Sequence, residues 1–322
     1  MTIDSSFLMK LWPFFFILPL IATVNEPLRL SLFSGYRNDR LHWHLQNGGT
    51  GVLTYSELYR NLQFWENGLD LRFIHRDLAF FLKGSYAAFG RGKLFQTYDH
   101  LSFTPLAPQF QFHSQAWAAD VSGIFSYAVD LTPDRLYHVI FLPLVGFSGH
   151  FERIWSRGAS PDPFTSHQAI DADSFSMSSS LPSPVHLTWY GPFLGAAFNV
   201  APGNDLFFQA GYSYHWLDGH FSARYKEEIA LNLGQSTSQE ESQVQLKAKG
   251  NGNMGQSGWG QIEYALSCWR LGLGASMHYF SSTLLPAKIT VTENSNQVET
   301  EHQKLKVRWT PISGWFIVSR SL

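Results

Sequence analysis

Period-two alternation is the feature that most limits what this chain can fold into. From Trp117 to Val129 the odd positions are Trp117, Ala119, Val121, Gly123, Phe125, Tyr127 and Val129. The even positions are Ala118, Asp120, Ser122, Ile124, Ser126 and Ala128. Successive side chains of a strand point to opposite sides, so this segment reads as a strand with one apolar, aromatic face and one small, polar face. Leu206, Phe208, Ala210, Tyr212, Tyr214 and Trp216 repeat the pattern against Phe207, Gln209, Gly211, Ser213 and His215. So do Leu271 to Tyr279, Leu78, Phe80, Leu82 and Tyr86 against Lys83 and Ser85, and Leu305, Val307 and Trp309 against Lys306 and Arg308. Aromatics gather at one end of the apolar face, as with Tyr212, Tyr214 and Trp216, where a membrane interface favours them. A soluble sandwich is the competing architecture, but its core would favour Val, Ile and Leu over so many Tyr and Trp.

Composition points the same way. Aromatics make up 16% of the chain and charged residues 15%. Past the N-terminus no run of about 18 apolar residues occurs, so spanning helices are not expected. A transmembrane barrel hides its apolar residues in alternation instead. The net charge of −2 and the lack of a basic stripe argue against a nucleic-acid partner. Cys268, the single cysteine, forms no intramolecular disulfide, and no Cys/His spacing suggests a metal. His42 and His44 share a strand face, yet nothing else in the sequence converges on them, so neither metal nor cofactor is expected.

Residues 1–24 read as a signal peptide, with Lys10 as the positive region and Leu11 to Ile21 as the apolar region. Met9 is an alternative start, and cleavage is expected after Ala22 or Thr23. An uncleaved anchor helix is the competing reading, but the run falls short of the ~20 residues that a span needs. Residues 25–322 are assigned to the barrel.

Four links are short: His75 to Asp77, Leu131 to Arg135, Ala201 to Asp205, and Ser267 to Arg270. Five polar links alternate with them and read longer: Gln46 to Gly51, Gly92 to His113, Arg153 to Ser183, Lys226 to Gly252, and Leu285 to Gln303. Tight periplasmic turns alternating with long external loops are the mark of outer-membrane barrels. Nine connections give ten strands with both ends in the periplasm. The expected fold is therefore all-β: an antiparallel, up-and-down transmembrane barrel of about ten strands in a bacterial outer membrane. Several strands exceed the 9–11 residues of a span, so the barrel is expected to project on the loop side.

Parity then assigns Glu57, Asp70, Arg72, Lys83, Asp120, Glu263, Lys306 and Arg308 to the lumen. Charges on the lipid face would cost ~2–4 kcal/mol each at midplane, and a narrow lumen can be filled by ion-paired side chains. Gly90-Arg91-Gly92-Lys93 has the look of a phosphate loop, but it follows an amphipathic strand and has no helix. Arg91 and Lys93 are read as contacts to lipid headgroup phosphates, with lipopolysaccharide as the expected partner.

Ser56-Glu57-Leu58, then Gly68 and alternating Leu69, Leu71 and Phe73, resembles the second strand of the omptins. Trp189-Tyr190-Gly191-Pro192-Phe193-Leu194-Gly195 resembles the W-x-G-P-x-x-G stretch of omptin-like outer-membrane proteins. Gly35-Tyr36-Arg37-Asn38-Asp39-Arg40-Leu41-His42-Trp43 and Leu142 to Ser148 resemble strands one and five of the chlamydia-type branch. The likeness is spread over most of the chain after residue 28. It implies a ten-stranded barrel, lipopolysaccharide binding and a rim protease site, in which carboxylates position a water and an Asp-oriented His acts as base. On this chain the matching positions are Asp99, Asp218 and His220. Thr97 stands where the partner of Asp99 should be, and Asp218-Gly219-His220 comes earlier than the family pattern places it.

Three functions compete. The first is a non-enzymatic surface protein with a structural or adhesion role, meeting a host or surface ligand through its loops. The second is an omptin-type endopeptidase of the aspartyl/histidine kind. The third is a narrow porin. The missing carboxylate favours the first. The barrel-assembly machinery is also an expected partner. It usually reads a final strand with a terminal aromatic, and here Phe316, Val318 and Leu322 share parity with Arg320 among them.

Overall fold

The computed structural model describes residues 28–47, 53–98, 110–132, 138–161, 183–202, 205–229, 240–282, 285–293 and 296–321. The segment read as a signal peptide lies outside them. The strands are β1 (Leu28–Asn47), β2 (Leu53–His75), β3 (Leu78–Tyr98), β4 (Phe110–Tyr127), β5 (Val129–Asp130) and β6 (His138–Pro161). They continue with β7 (Ser183–Ala201), β8 (Leu206–Ile229), β9 (Glu240–Leu266), β10 (Trp269–Ser281), β11 (Leu285–Glu293) and β12 (Asn296–Ser321). Each pairs antiparallel with its neighbour, and β12 pairs back onto β1. Of the twelve, β5 continues β4 past Ala128, and β11 continues β10 past Ser282. The barrel is therefore closed and ten-stranded, and closure removes the free sheet edges that a membrane would not tolerate.

The four short links fall where the alternation predicts them. Arg76 and Asp77 join β2 to β3, and Ser267 and Cys268 join β9 to β10. Arg76 and Ser267 take φ of 54° and 59°, the left-handed conformation that tight turns need. The long links differ from expectation, because strand pairing consumes much of them. β8 and β9 pair through Ile229↔Glu240, and β11 and β12 through Glu293↔Asn296. The stretches Lys226 to Gly252 and Leu285 to Gln303 are thus largely β-structure. A strand that has left the bilayer no longer needs an apolar face towards lipid, so the apolar signal that marks a membrane strand is absent from their sequence.

The solvents of the two faces exchange along each strand. Near the turn end, large apolar side chains stand exposed on the outer wall: Leu32, Leu69, Phe125, Leu194, Leu273 and Phe316 among them. The lumen at that level holds polar and charged groups with two small apolar patches, one of Phe33, Trp315 and Ile317 and one of Leu142, Leu144, Phe193 and Ala197. Near the loop end the order inverts. Leu41, Trp43, Tyr59, Leu217, Leu246, Leu305, Val307 and Trp309 are buried inside the barrel in one apolar cluster. Arg40, Arg60, Arg91, Lys93, Lys247 and Arg308 are exposed outside it.

Two tight approaches fix how closely the wall packs. A β-carbon at Gly35 would overlap the Gly314 carbonyl oxygen across the β1–β12 seam and lie 2.7 Å from Trp315 Cβ. Gly123 on β4 has nothing within 4 Å of such an atom. Gly35→Val should therefore open the closing seam, and the unheated protein should lose its compact, heat-modifiable band on a gel. Gly123→Ala should keep that band. An unchanged band for Gly35→Val would contradict the closure described here.

Candidate functional site

The lumen is the first place to look for chemistry, because inward positions of ten strands converge there. At the turn end, Arg72 donates to Asp70 Oδ2 from Nε at 2.9 Å and from Nη2 at 2.8 Å. Its Nη1 donates to Gln209 Oε1 at 2.8 Å across the barrel. Gln261 Nε2 donates to Gln209 Oε1 at 3.0 Å and Glu263 Oε1 at 2.7 Å. Glu263 is ion-paired with Arg29, whose Nη2 also donates to Ser319 Oγ at 2.9 Å. This layer ties β2, β8, β9, β1 and β12 together. One level up, the Lys83 ammonium sits 4.9 Å from the Phe33 ring centre and 4.7 Å from that of Trp315.

Arg37 organises the next layer. It grips Asp39 with Nε and Nη2, each donating at 2.8 Å, and it is ion-paired with Asp120. Asp39 also accepts from Trp309 Nε1 at 3.1 Å. His150 Nδ1 lies 2.8 Å from Asp120 Oδ1. His215 meets Ser148, Ser213 and Ser257 at 2.9–3.0 Å, and Ser257 meets His278 Nδ1 at 2.7 Å. Sequence reading did not single out Arg37, Asp39 or the three histidines as a group. His215 fell on the polar face of its strand by alternation, but the partners in this layer lie up to 270 positions apart, which one sequence does not show.

Above this layer the apolar cluster closes the bore. Trp43, Trp309 and Phe280 are fully buried, and Trp189 nearly so. The Trp189 and Phe280 rings stack at 6.3 Å, and those of Phe280 and Trp309 lie 5.3 Å apart. Glu57 is held inside this cluster, accepting from Trp43 Nε1 at 3.0 Å and from the Tyr59 hydroxyl at 2.7 Å.

Of the residues assigned to the lumen, Glu57, Asp70, Arg72, Lys83, Asp120 and Glu263 face inward. Lys306 and Arg308 do not, and that assignment is corrected. Their neighbours Leu305, Val307 and Trp309 are 0% exposed inside the barrel, so the two cations stand on the outer wall. The parity argument assumed lipid outside, whereas β12 has left the apolar belt by that point.

The candidate protease residues are not gathered in the lumen. Asp218 and His220 sit on the outward face of β8, since Leu217, Gly219 and Phe221 point in. His220 Nε2 lies 3.1 Å from the Tyr190 hydroxyl and the two rings stack. Asp99 lies outside the described residues. Burial and the nearby Lys249 push the His220 imidazole below its ordinary value, against the weaker pull of Asp218. His42 and His44 are also on the outer wall, with ring centres 5.5 Å apart. Burial first, then His42, Lys306 and Arg308, bring His44 down to about 4. Among the described residues, no group of three or more such side chains gathers to hold a metal.

The Arg37 layer yields a direct test. Breaking a buried ion pair from one side leaves an uncompensated charge and costs ~3–5 kcal/mol. Arg37→Met should lower the unfolding free energy of the refolded barrel, measured by urea titration, by that order, and adding Asp39→Asn should restore part of it. Equal loss in the single and double variants would contradict the pairing.

The family model described as Protochlamydia outer membrane protein matches residues 31–321. No curated protein matches the chain. Among solved structures, the outer membrane protease OmpT from Escherichia coli is similar at 9% identity and a TM-score of 0.70, over 94% of this chain and 99% of that one. The outer membrane protein OprG from Pseudomonas aeruginosa covers 91% of this chain and 96% of its own at 10% identity, with a TM-score of 0.35. At such identity the OmpT likeness speaks for the ten-stranded barrel and for nothing finer. Taken with the closed barrel and its apolar outer belt, the family match puts the protein in the bacterial outer membrane. The chain belongs to the Protochlamydia outer membrane protein family.

Proposed function

We propose that this barrel is a non-enzymatic surface protein that works through its outer wall and its loop end. The observation that carries this reading is the filled lumen. Ion-paired layers occupy its turn half, and an apolar cluster with three buried tryptophans occupies its loop half. A water-filled path would need polar, spaced walls along the whole bore. An endopeptidase would need its acid and base to meet in a cleft that a peptide can enter, and Asp218 and His220 face away from the lumen. Both observations favour the surface role over the pore and over the protease.

The outer wall supplies contacts for that role. Arg91 and Lys93 stand exposed on β3, and Gln63↔Arg91 and Arg60↔Lys93 pair them with β2. Arg40 and Arg308 continue the arc across β1 and β12. These cations stand four residues beyond the last exposed aromatic or large apolar residue on β1 (Tyr36) and β12 (Ile312), five beyond Trp65 on β2 and two beyond Phe89 on β3, roughly 5–13 Å above the apolar belt at 3.3 Å per residue and a tilt near 40°. Phosphates of lipopolysaccharide lie within reach of that level, so the arc would hold the barrel in its outer leaflet through charge-assisted hydrogen bonds.

Two measurements test the reading. Purified barrel in planar bilayers should give no regular conductance steps, and a broad peptide panel should show no cleavage above background, with Asp218→Ala indistinguishable from the parent. Steady single-channel steps, or cleavage abolished by Asp218→Ala, would overturn it.

A further inference from the structure

A second cationic surface lies across the wall from that arc and higher up. A groove of about 890 Å³ is lined by Arg153 of β6, His186 of β7, His220 and Arg224 of β8, and Lys247 and Lys249 of β9. Among the described side chains no carboxylate lines it, although Asp218 neighbours His220 on the outer face of β8. The strand register builds it: Arg153↔His186, His220↔Lys249 and Arg224↔Gln245 are cross-strand neighbours. All of these side chains face outward, because Val185, Leu187, Phe221, Ala223, Leu246 and Ala248 between them are buried in the apolar cluster. Like charges set side by side are unfavourable without an anion between them. The histidines report the same field: burial, Arg153 and Arg224 lower His186, and burial and Lys249 lower His220.

We propose that this groove binds an extended polyanionic glycan, a polysaccharide bearing sulfate or phosphate groups, presented from outside the cell. This rests on the surface-protein reading and deepens it. Three features select the ligand. The groove crosses the strands from β6 to β9 and on to β11, about 20 Å at ~4.8 Å per strand, which suits a linear chain with repeated charges rather than a single ion. Its upper cations stand far from the bilayer. Arg224 is eight residues beyond Trp216, the last exposed aromatic on β8, which places it about 20 Å above the belt at the strand tilt of such barrels. Lipid headgroup phosphates sit nearer the belt, at the level of the opposite arc. The lining also offers Thr188, Ser222 and Gln245 for sugar hydroxyls. Single-stranded nucleic acids are gripped by exposed aromatic platforms, and among the described residues of the lining the one Phe, Tyr or Trp, Phe221, is buried.

The test uses the full chain refolded in detergent, with fluorescent dextran sulfate as probe. Uncharged dextran, oligothymidylate and lipopolysaccharide serve as competitors. Arg224→Glu with Lys247→Glu should weaken dextran sulfate at least about tenfold and flatten its salt dependence, because cations that displace counterions are lost. The milder Lys247→Gln with Lys249→Gln should weaken it in the same direction, and the heat-modifiable band should show both variants folded. Arg91→Glu with Lys93→Glu, on the opposite wall, should leave this affinity unchanged. The proposal is overturned if both walls contribute equally, if uncharged dextran or oligothymidylate competes as well, or if the groove variants lose lipopolysaccharide and keep dextran sulfate. Any of these would leave the closed lumen, and the surface reading that rests on it, standing.

Discussion

A β-strand turns alternate side chains to opposite faces along its whole length, while its surroundings change at the edge of the bilayer. A strand longer than the bilayer must therefore present one face first to lipid and then to water. β12 runs 26 residues and β9 runs 27, against the roughly 9–11 that a tilted span requires. The chain meets this constraint by exchanging the chemistry of its two faces partway along, with the period unbroken. Phe316 and Ile312 face outward within the belt; Arg308 and Lys306 face outward above it. The lumen changes in the opposite sense, from Ser319 and Ser313 to Trp309, Val307 and Leu305.

The two halves of the lumen hold together by different physics. The loop half is a dry core of ordinary kind, where burying each large apolar side chain contributes ~1.5–3 kcal/mol. The turn half uses that device only in two small patches, around Trp315 and around Phe193, because most of its apolar residues are committed to lipid. The rest of its filling is largely ion-paired side chains such as Arg72 with Asp70 and Arg37 with Asp39 and Asp120, since desolvated ions are costly unless paired with good geometry. The bidentate grip of Arg37 on Asp39, with Trp309 donating to the same carboxylate, links the polar layer to the apolar cluster above. The outer wall carries cations at two levels, one near the membrane and one well above it.

The alternation and the spacing of short turns were enough to read the closed ten-stranded barrel, and parity was enough to place Asp70, Arg72, Lys83, Asp120 and Glu263 inward. The same parity failed at Lys306 and Arg308. Leu305, Val307 and Trp309 look like a lipid-facing set, and only the neighbouring strands reveal that they point into a core. The loop-side strands were illegible for a related reason. Between 285 and 303 the alternation is of threonine, lysine and glutamate against aliphatic residues, a pattern shared with solvated links. The groove from Arg153 to Lys249 was beyond sequence reading altogether, because its cations come from β6, β8, β9 and β11 and meet only through the register.

Site-directed spin labelling along β12, in the Cys268→Ser background, tests the exchange of faces most directly. Labels at even positions from 312 to 318 should be accessible to oxygen from the lipid phase. Labels at 304, 306 and 308 should be accessible to a water-soluble nickel reagent, and labels at 305, 307 and 309 to neither. Lipid accessibility at 305, 307 and 309, with 306 and 308 protected, would place the charges in the lumen and contradict the account.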